Sequence, residues 1–313
     1  MTRIAVASRS FARNAKLRAE LSAKYSDVTF TESPDIIGGD ELVRFLRGHD
    51  RAIVGLERVD DNILAQVPEL KIISKYGVGL DAVDVEALRR RGVRLGWTGG
   101  VNRRSVSELT LAFAIALLHR VPETSVAIRG GQWLKLVGRQ LTGRTFGIIG
   151  CGFVGKDLVK LLAPFDCRVL AHDIRDYADF YRDHRVTPVQ LGRLLAESDI
   201  VSLHVPLDRS TTGMIGAREL AAMRKGSFLI NAARGGLIDE EALADALEGG
   251  HLAGAACDVF QMEPDLNPRL VTQPTFLGTP HIGGSTEEAQ LAMGRAAIEG
   301  LETARIPDDG WPG

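Results

Sequence analysis

A turn of six residues, Gly150-Cys151-Gly152-Phe153-Val154-Gly155, constrains this chain more than any other stretch. An apolar run over Thr145–Ile149 precedes it, and residues 156–162 continue it with apolar residues at helical spacing. A second apolar run, Arg168–His172, then ends on Asp173. This is strand, glycine turn, helix, strand and acid, in the order a dinucleotide requires. The first glycine allows the tight turn, the second lets a pyrophosphate approach the backbone, and the third lets the helix pack close to the sheet. The helix N-terminus adds amides and a positive dipole end, and Phe153 and Val154 line the diphosphate turn. Asp173 is placed to accept hydrogen bonds from the adenosine ribose. A carboxylate there repels a 2′-phosphate and so selects NAD over NADP; Arg175, two residues on, is the one opposing feature. A glycine turn by itself is an ordinary connection. Both strands, the helix and the acid around it make the dinucleotide reading.

A length of 313 residues suggests about two domains. Short apolar runs at 4–7, 28–30, 52–54, 71–74 and 93–96 alternate with helical patterns near 12–25, 40–47, 60–66 and 84–91, which gives a parallel sheet covered on both faces. A long helix follows over roughly 105–119, with Ser105 as N-cap and Glu108 as its capping-box partner. Its apolar residues run almost all round, as in a helix buried between domains or subunits. A loop rich in glycine and basic residues, 130–144, leads into the dinucleotide unit. Further strands at 200–205, 228–231, 253–257 and 275–278 complete a second doubly wound sheet. The last helix, 286 to about 303, packs back on the first domain. The expectation is therefore an α/β fold of two doubly wound parallel-sheet domains. A flavodoxin-like substrate domain (1–100 and 285–313) would carry an inserted Rossmann domain for NAD (101–284), which includes the interdomain and dimerisation helix. The tail 307–313 reads as frayed.

The net charge of −2 gives no electrostatic reason to expect nucleic acid or an anionic membrane as partner, and no apolar run reaches membrane-spanning length. Cys151, Cys167 and Cys257 show neither a CxxC pair nor metal-ligand spacing, so they read as reduced packing residues of a cytoplasmic protein that binds no metal. Before Glu20 the chain holds Arg3, Arg9, Arg13, Lys16 and Arg18 with no acid, a composition like that of a transit peptide. A first strand followed by one amphipathic helix over about 11–25 uses the same residues and supplies the sheet.

Polar groups stand where three strands should stop: Asn231-Ala232-Ala233-Arg234, Asp258, and Pro280-His281-Ile282-Gly283-Gly284. In an open α/β sheet, ligands bind beyond the carboxyl ends of the strands, so Arg234, Asp258 and His281 belong near the nicotinamide, with Glu263 on the loop beneath. Taken singly, each could be a surface, turn or loop residue. His204 reads as a buried strand-end residue beside the cofactor rather than a second base. In the first domain the amides of Lys75-Tyr76-Gly77-Val78-Gly79 can cradle a carboxylate. Asn102 would reach the same pocket, with Lys75, Arg103 and Arg104 adding positive charge near its mouth. Those cations suggest a second anionic group on the substrate.

The chain resembles the D-isomer-specific 2-hydroxyacid dehydrogenases over nearly its whole length. The matching blocks are Gly150–Gly155, His204-Val205-Pro206-Leu207 with Thr211-Thr212-Gly213, the segments 231–239 and 258–264, and 280–286. Within that family Gly77-Val78-Gly79-Leu80-Asp81, Gly131-Gln132-Trp133 and His281-Ile282-Gly283-Gly284-Ser285-Thr286 look most like phosphoglycerate dehydrogenases, without the C-terminal regulatory domain of the longer members. The resemblance implies a catalytic set of Arg234, Glu263 and His281, and the chemistry agrees. Neutral imidazole can take the hydroxyl proton as hydride leaves C2. Glu263 would fix its tautomer, and Arg234 offers a planar fork to the carboxylate. The resemblance also implies cofactor contacts at His204, Pro206, Thr211, Ala232, Ala233, Asp258 (to the carboxamide), Gly283 and Gly284. A small anionic 2-hydroxy or 2-oxo acid, 3-phosphoglycerate-like, would be the substrate, and a homodimer would form through the long helix and the 130–144 arm. Two rivals share these motifs: an NAD-sensing regulator without catalysis, and a dehydrogenase of another small donor, such as the glyoxylate/hydroxypyruvate reductase, formate or phosphite types.

Overall fold

The computed structural model describes residues 2–308 and divides into two compact units. One is built from the chain up to Asn102 and again from Thr286; the other spans Arg103–Ser285.

The first unit is a five-stranded parallel sheet. Its strands are β1 (Ile4–Val6), β2 (Val28–Phe30), β3 (Arg51–Val54), β4 (Ile72–Lys75) and β5 (Arg94–Gly96), in the order β2-β1-β3-β4-β5. That is the flavodoxin-like order. Successive residues turn to opposite faces, so both faces are apolar. Ile4, Val6, Ile53 and Ile72 pack with Phe11, Leu17 and Leu301 on one side, while Ala5, Ala52, Val54 and Ile73 pack with Leu42, Leu64 and Leu88 on the other. The helix Glu287–Thr303, capped by Thr286, lies against β3, β4 and β5. It approaches so closely that a Cβ on Gly96 would fall 2.2 Å from the Gly300 carbonyl oxygen.

Two sequence expectations change here. Residues 11–25 form two helices, Arg9–Arg13 and Ala15–Lys24, because Asn14 ends one and begins the next. Its N–H donates to Phe11 O (3.0 Å) while its side-chain oxygen accepts from Leu17 N (3.1 Å). Of the tail that reads as frayed, Pro307 is buried and its carbonyl accepts from Arg89 Nε (3.0 Å); residues 309–313 lie outside the described residues.

The second unit is a seven-stranded parallel sheet: β6 (Thr145–Ile149), β7 (Arg168–His172), β8 (Thr187–Pro188), β9 (Ile200–Leu203), β10 (Phe228–Asn231), β11 (Gly254–Cys257) and β12 (Phe276–Gly278), in the order β12-β11-β10-β9-β6-β7-β8. The two-residue β8 has no counterpart in the sequence reading; its proline sits at a sheet edge, where a missing donor is tolerated. The long helix runs Arg103–Leu118, so Ser105 lies inside its first turn and is not its N-cap. Ser105 Oγ instead donates to Gly283 O (2.5 Å), tying the helix to the loop after β12. A further helix, Val121–Arg129, follows. Among the described residues no single helix is long and apolar enough to cross a membrane.

Candidate active site

In the second unit the polar groups singled out above all follow the carboxyl ends of parallel strands. After β6 the chain turns at Gly150, whose φ of +91° suits glycine and where a Cβ would lie 2.8 Å from the backbone and side chain of the 204–205 segment. The helix Phe153–Leu162 then starts with no side-chain cap, leaving the first-turn amides of Phe153, Val154 and Gly155 without intrahelical acceptors. A Cβ on Gly152 would meet nothing within 4 Å, whereas one on Gly155 would lie 2.3 Å from Gly150 O. The turn is closed where helix meets strand and open where a pyrophosphate would approach, so these residues fit a dinucleotide. Asp173, at the end of β7, accepts from Cys151 N (2.6 Å) and Arg175 N (2.8 Å). Its carboxylate braces the turn and keeps further lone pairs for ribose hydroxyls. Burial and the Asp173 charge push the Cys151 thiol up to about 11, which makes it an inert packing group.

His204 follows β9. Its Nε2 meets Ser202 Oγ at 2.5 Å, its Nδ1 is buried without a partner, and desolvation lowers its pKa to about 3. A ring this hard to protonate is no acid–base group near neutral pH. Thr211 Oγ1 donates to Pro206 O (2.7 Å) and accepts from Asp208 N (2.8 Å), so its hydroxyl closes the loop after β9.

After β10, Asn231 folds the next turn on itself: its amide donates to Arg234 O (2.8 Å) and its oxygen accepts from Ala233 N (3.1 Å). A Cβ on Gly235 would strike Phe260 O at 1.8 Å, so this turn packs backbone to backbone against the loop that carries Glu263. Ala232 is buried, and Arg234, half-buried, donates from Nη1 to Ala233 O (2.7 Å). Asn231 was missed as a site residue; its signal lay in the 231–234 block itself, as the one side chain there able to bond the backbone on both sides.

Asp258, after β11, is 1% exposed. Oδ1 accepts from Thr279 Oγ1 (2.5 Å) and Ile282 N (2.8 Å), and Oδ2 accepts from Gly283 N (2.7 Å). Its carbonyl accepts from His281 N (2.8 Å). Asp258 therefore clamps the loop 279–283, and Gly283 has no room for a side chain, since a Cβ would lie 2.9 Å from Oδ2. The clamped loop holds His281 at φ +54°, with Nδ1 2.9 Å from Glu263 Oε2. Glu263 Oε1 accepts in turn from Phe260 N (2.9 Å). The imidazole side chain is half exposed, and no partner is found for Nε2 among the described residues. Gly284 follows, half-buried. Among the described residues no group of His, Cys, Asp and Glu is arranged to hold a metal ion.

The first unit presents Gly77 at φ +119°, with Val78 pinned by Trp97 Nε1 donating to its carbonyl (2.9 Å). The amides of Gly77, Val78 and Gly79 find no acceptor among the described residues, as a carboxylate cradle requires. Tyr76 departs from its expected role. Its N–H donates to Val54 O (2.8 Å) and its ring packs edge-on against Phe11 in the core, with centroids 5.8 Å apart. Lys75 also departs: it is buried, and Nζ donates to the carbonyls of Gly55 and Tyr76. Asn102 is buried, and Arg103 is exposed at the first position of its helix. In the second unit Arg104 pairs with the buried Asp157 at 3.1 Å.

A parallel sheet whose glycine turn offers amides to a dinucleotide, with an imidazole–carboxylate pair beyond the same strand ends, defines a dinucleotide-dependent oxidoreductase. Residues 111–283 match the NAD binding domain of D-isomer specific 2-hydroxyacid dehydrogenases, and the chain belongs to that family. It is 36% identical over 266 residues to a hydroxypyruvate reductase of Thermotoga maritima, covering 83% of this chain and 86% of that protein. It is 34% identical over 267 residues to a D-3-phosphoglycerate dehydrogenase of Methanocaldococcus jannaschii, covering 84% of this chain and 51% of the relative. The solved TT0316 protein from Thermus thermophilus superposes with a TM-score of 0.86 at 33% identity, covering 98% of this chain and 99% of that one. The protein is an NAD-dependent oxidoreductase acting on the CH–OH group of its donor.

Proposed function

We propose that the protein interconverts a short 2-oxo acid and its D-2-hydroxy acid, with His281 moving the proton. The observation that carries this reading is the 2.9 Å contact between His281 Nδ1 and Glu263 Oε2. With Nδ1 engaged, Nε2 is the nitrogen that donates to the carbonyl oxygen in reduction and accepts from the hydroxyl in oxidation. Glu263 fixes the tautomer and stabilises the imidazolium, so it is a positioning residue. Bound NAD would accept the hydride that leaves substrate C2, and in its reduced form would deliver one there. Arg234 offers its fork to the substrate carboxylate and oxygen. Ala232, Ala233, Gly284 and Pro206 border the cofactor, and Asp258 contributes through the loop it clamps. In the first unit the amides of Gly77, Val78 and Gly79 are a separate carboxylate cradle.

Two of the three cations named from the sequence, Lys75 and Arg104, do not favour a phosphorylated substrate. Lys75 is buried on backbone carbonyls and Arg104 faces Asp157, so neither offers an open ammonium or guanidinium to a distant phosphate. An acid with an uncharged remainder suits these placements better. A second copy of the chain is the partner we assign to the arm and the helix before it, where Trp133 (89% exposed) and Val137 (92%) on the arm and Val126 (62%) on the helix Val121–Arg129 present apolar surface. The test is NADH and NADPH oxidation with a panel of 2-oxo acids. Turnover with NADH and a short acid supports the reading. Tight NADH binding with no turnover of any acid would leave a cofactor-sensing protein and sink it.

A further inference from the structure

Before Glu20 the chain carries Arg3, Arg9, Arg13, Lys16 and Arg18 with no acid, and the dehydrogenase chemistry uses none of them. The first unit gathers three of these cations in one place. Arg9 and Arg13 lie on the helix Arg9–Arg13 and Arg18 on the helix Ala15–Lys24; the chain is redirected at Asn14, and all three side chains line one cavity of about 290 Å³. Thr31, Glu32 and Ser33, in the segment that follows β2, complete its polar lining. Three like charges around one cavity repel, and an anion would relieve that cost. Two of the guanidiniums are held in place. Arg18 Cζ stacks 4.1 Å from the centre of the Phe30 ring, and its Nη1 donates to Ala12 O (3.0 Å). Arg9 Nη1 donates to Pro34 O (2.8 Å). Neither contact neutralises a charge, and each guanidinium keeps further N–H groups to donate. Arg13 has no partner among the described residues. The one acid in the lining, Glu32, has a side chain 86% exposed, and its Oε1 stays 3.9 Å from Arg18 Nη1, too far for a hydrogen bond. Thr31 is 7% exposed; its Oγ1 accepts from Ser33 N (3.2 Å), and Ser33 Oγ accepts from Asp35 N (3.2 Å). Both hydroxyl protons are without an acceptor among the described residues.

We propose that this cavity binds the dianionic phosphate of a small phosphate monoester, at a site separate from the dehydrogenase chemistry. Three guanidiniums against one carboxylate leave an excess of positive charge that a dianion matches. A phosphate presents its oxygens in tetrahedral directions, so donors from two helices and two hydroxyls can converge on one group. A planar carboxylate has two oxygens and cannot meet them all. The volume stands at the small end of ligand cavities, which run from about 300 to 1,000 Å³; it suits a phosphate carrying a few carbons and is too small for a run of nucleotides. In the sheet, β1 and β3 stand between β2 and β4, so the cavity lies apart from the Gly77–Gly79 amides that follow β4. The bound anion would bridge the two helices to the segment after β2, and so stabilise the first unit.

The test is calorimetric titration of the NADH-loaded protein with methyl phosphate, inorganic phosphate and acetate at constant ionic strength, so that the glycine turn is already filled. Methyl phosphate should bind at one site, at least as tightly as inorganic phosphate and about ten-fold or more tighter than acetate, and should raise the melting temperature. Arg13→Ala should weaken methyl phosphate by about ten-fold, while NADH oxidation measured without phosphate stays as in the wild type. Glu32→Gln removes the competing carboxylate and should tighten binding. Methyl phosphate that binds no better than acetate overturns the proposal. So does binding that survives unchanged in Arg13→Ala with Arg18→Ala, which would put the phosphate elsewhere on the protein. Inorganic phosphate bound far more tightly than its methyl ester would make this a site for the free ion, not for a monoester. Binding of a single-stranded oligonucleotide with no binding of methyl phosphate would make the arginines part of a nucleic-acid surface, and would overturn the proposal as well.

Discussion

Replacing Asp258 with asparagine removes no side-chain volume, yet it should disable the loop that carries His281. The carboxylate accepts three hydrogen bonds in a site that is 1% exposed: two on Oδ1, from Thr279 and Ile282, and one on Oδ2, from Gly283. Asparagine has one acceptor oxygen. If that oxygen stays toward Thr279 and Ile282, the new NH2 faces the Gly283 N–H, donor against donor; if it flips, the NH2 faces the Ile282 N–H in the same way, and only the Thr279 hydroxyl can turn to accept from it. A hydrogen bond to a charged acceptor contributes about 1.5–3 kcal/mol, and a buried donor left unpaired costs about 1–3 kcal/mol more. The substitution should therefore cost about 3–5 kcal/mol. Most of it falls on the 279–283 loop, so His281 leaves its place opposite Glu263 while the glycine turn keeps its amides. The expected result is a fall in kcat of about 100-fold or more, since about 3 kcal/mol corresponds to that factor, with NADH affinity, read by nicotinamide fluorescence, reduced far less. An Asp258→Asn enzyme with wild-type kcat and melting temperature would refute the clamp.

Gly152→Ala and Gly155→Ala should separate binding from folding. The first adds a Cβ in open space, so the melting temperature should hold while NADH affinity falls; the second drives a Cβ to 2.3 Å from Gly150 O and should lower both. Calorimetric titration beside thermal melting checks the pair. His204 makes a pH prediction: its folded pKa of about 3 lies below the ordinary value of 6.5, so the unfolded chain binds more protons between those limits. Its contribution to stability is complete above about pH 6.5 and is lost as pH falls toward 3. Denaturant unfolding of His204→Asn should show a shallower acid limb than the wild type, and identical limbs would contradict the assignment. The dimer proposed through the arm predicts that the wild type sediments as a dimer and Trp133→Asp with Val137→Asp as a monomer; a monomeric wild type, or an unchanged mass in the variant, would contradict it.

Much of this architecture was legible because buried parallel strands are short apolar runs and their ends are marked by polar residues. The stretches ending at Ile149, His172 and Asn231 are of this kind. What failed did so for local reasons. Tyr76 read as part of the anion loop, but period two carries it to the face of β4 that already holds Ile72, which points it into the core. Ser105 looked like a cap because a serine and a glutamate three apart imitate one, while its hydroxyl answers a partner 178 residues away. Asn14 inside a helical pattern was a legible break, since its side chain competes for backbone amides. The helix Val121–Arg129 has a proline in its first turn, a start signal in a stretch to which the sequence reading assigned no element. At the candidate site, the sequence pointed to Arg234, Glu263 and His281 and placed Asn231 and Asp258 at strand ends, but the particular amides that Asn231 and Asp258 hold appear only when the loops are folded.

The most direct test of the central claim is steady-state NADH oxidation by wild type and His281→Asn with a short 2-oxo acid, alongside NADH binding to both. We predict that the wild type turns over. The variant should lose about 10²–10⁴-fold in kcat and bind NADH nearly as well, because the imidazole acts on the substrate. Near-wild-type turnover in His281→Asn would contradict the account.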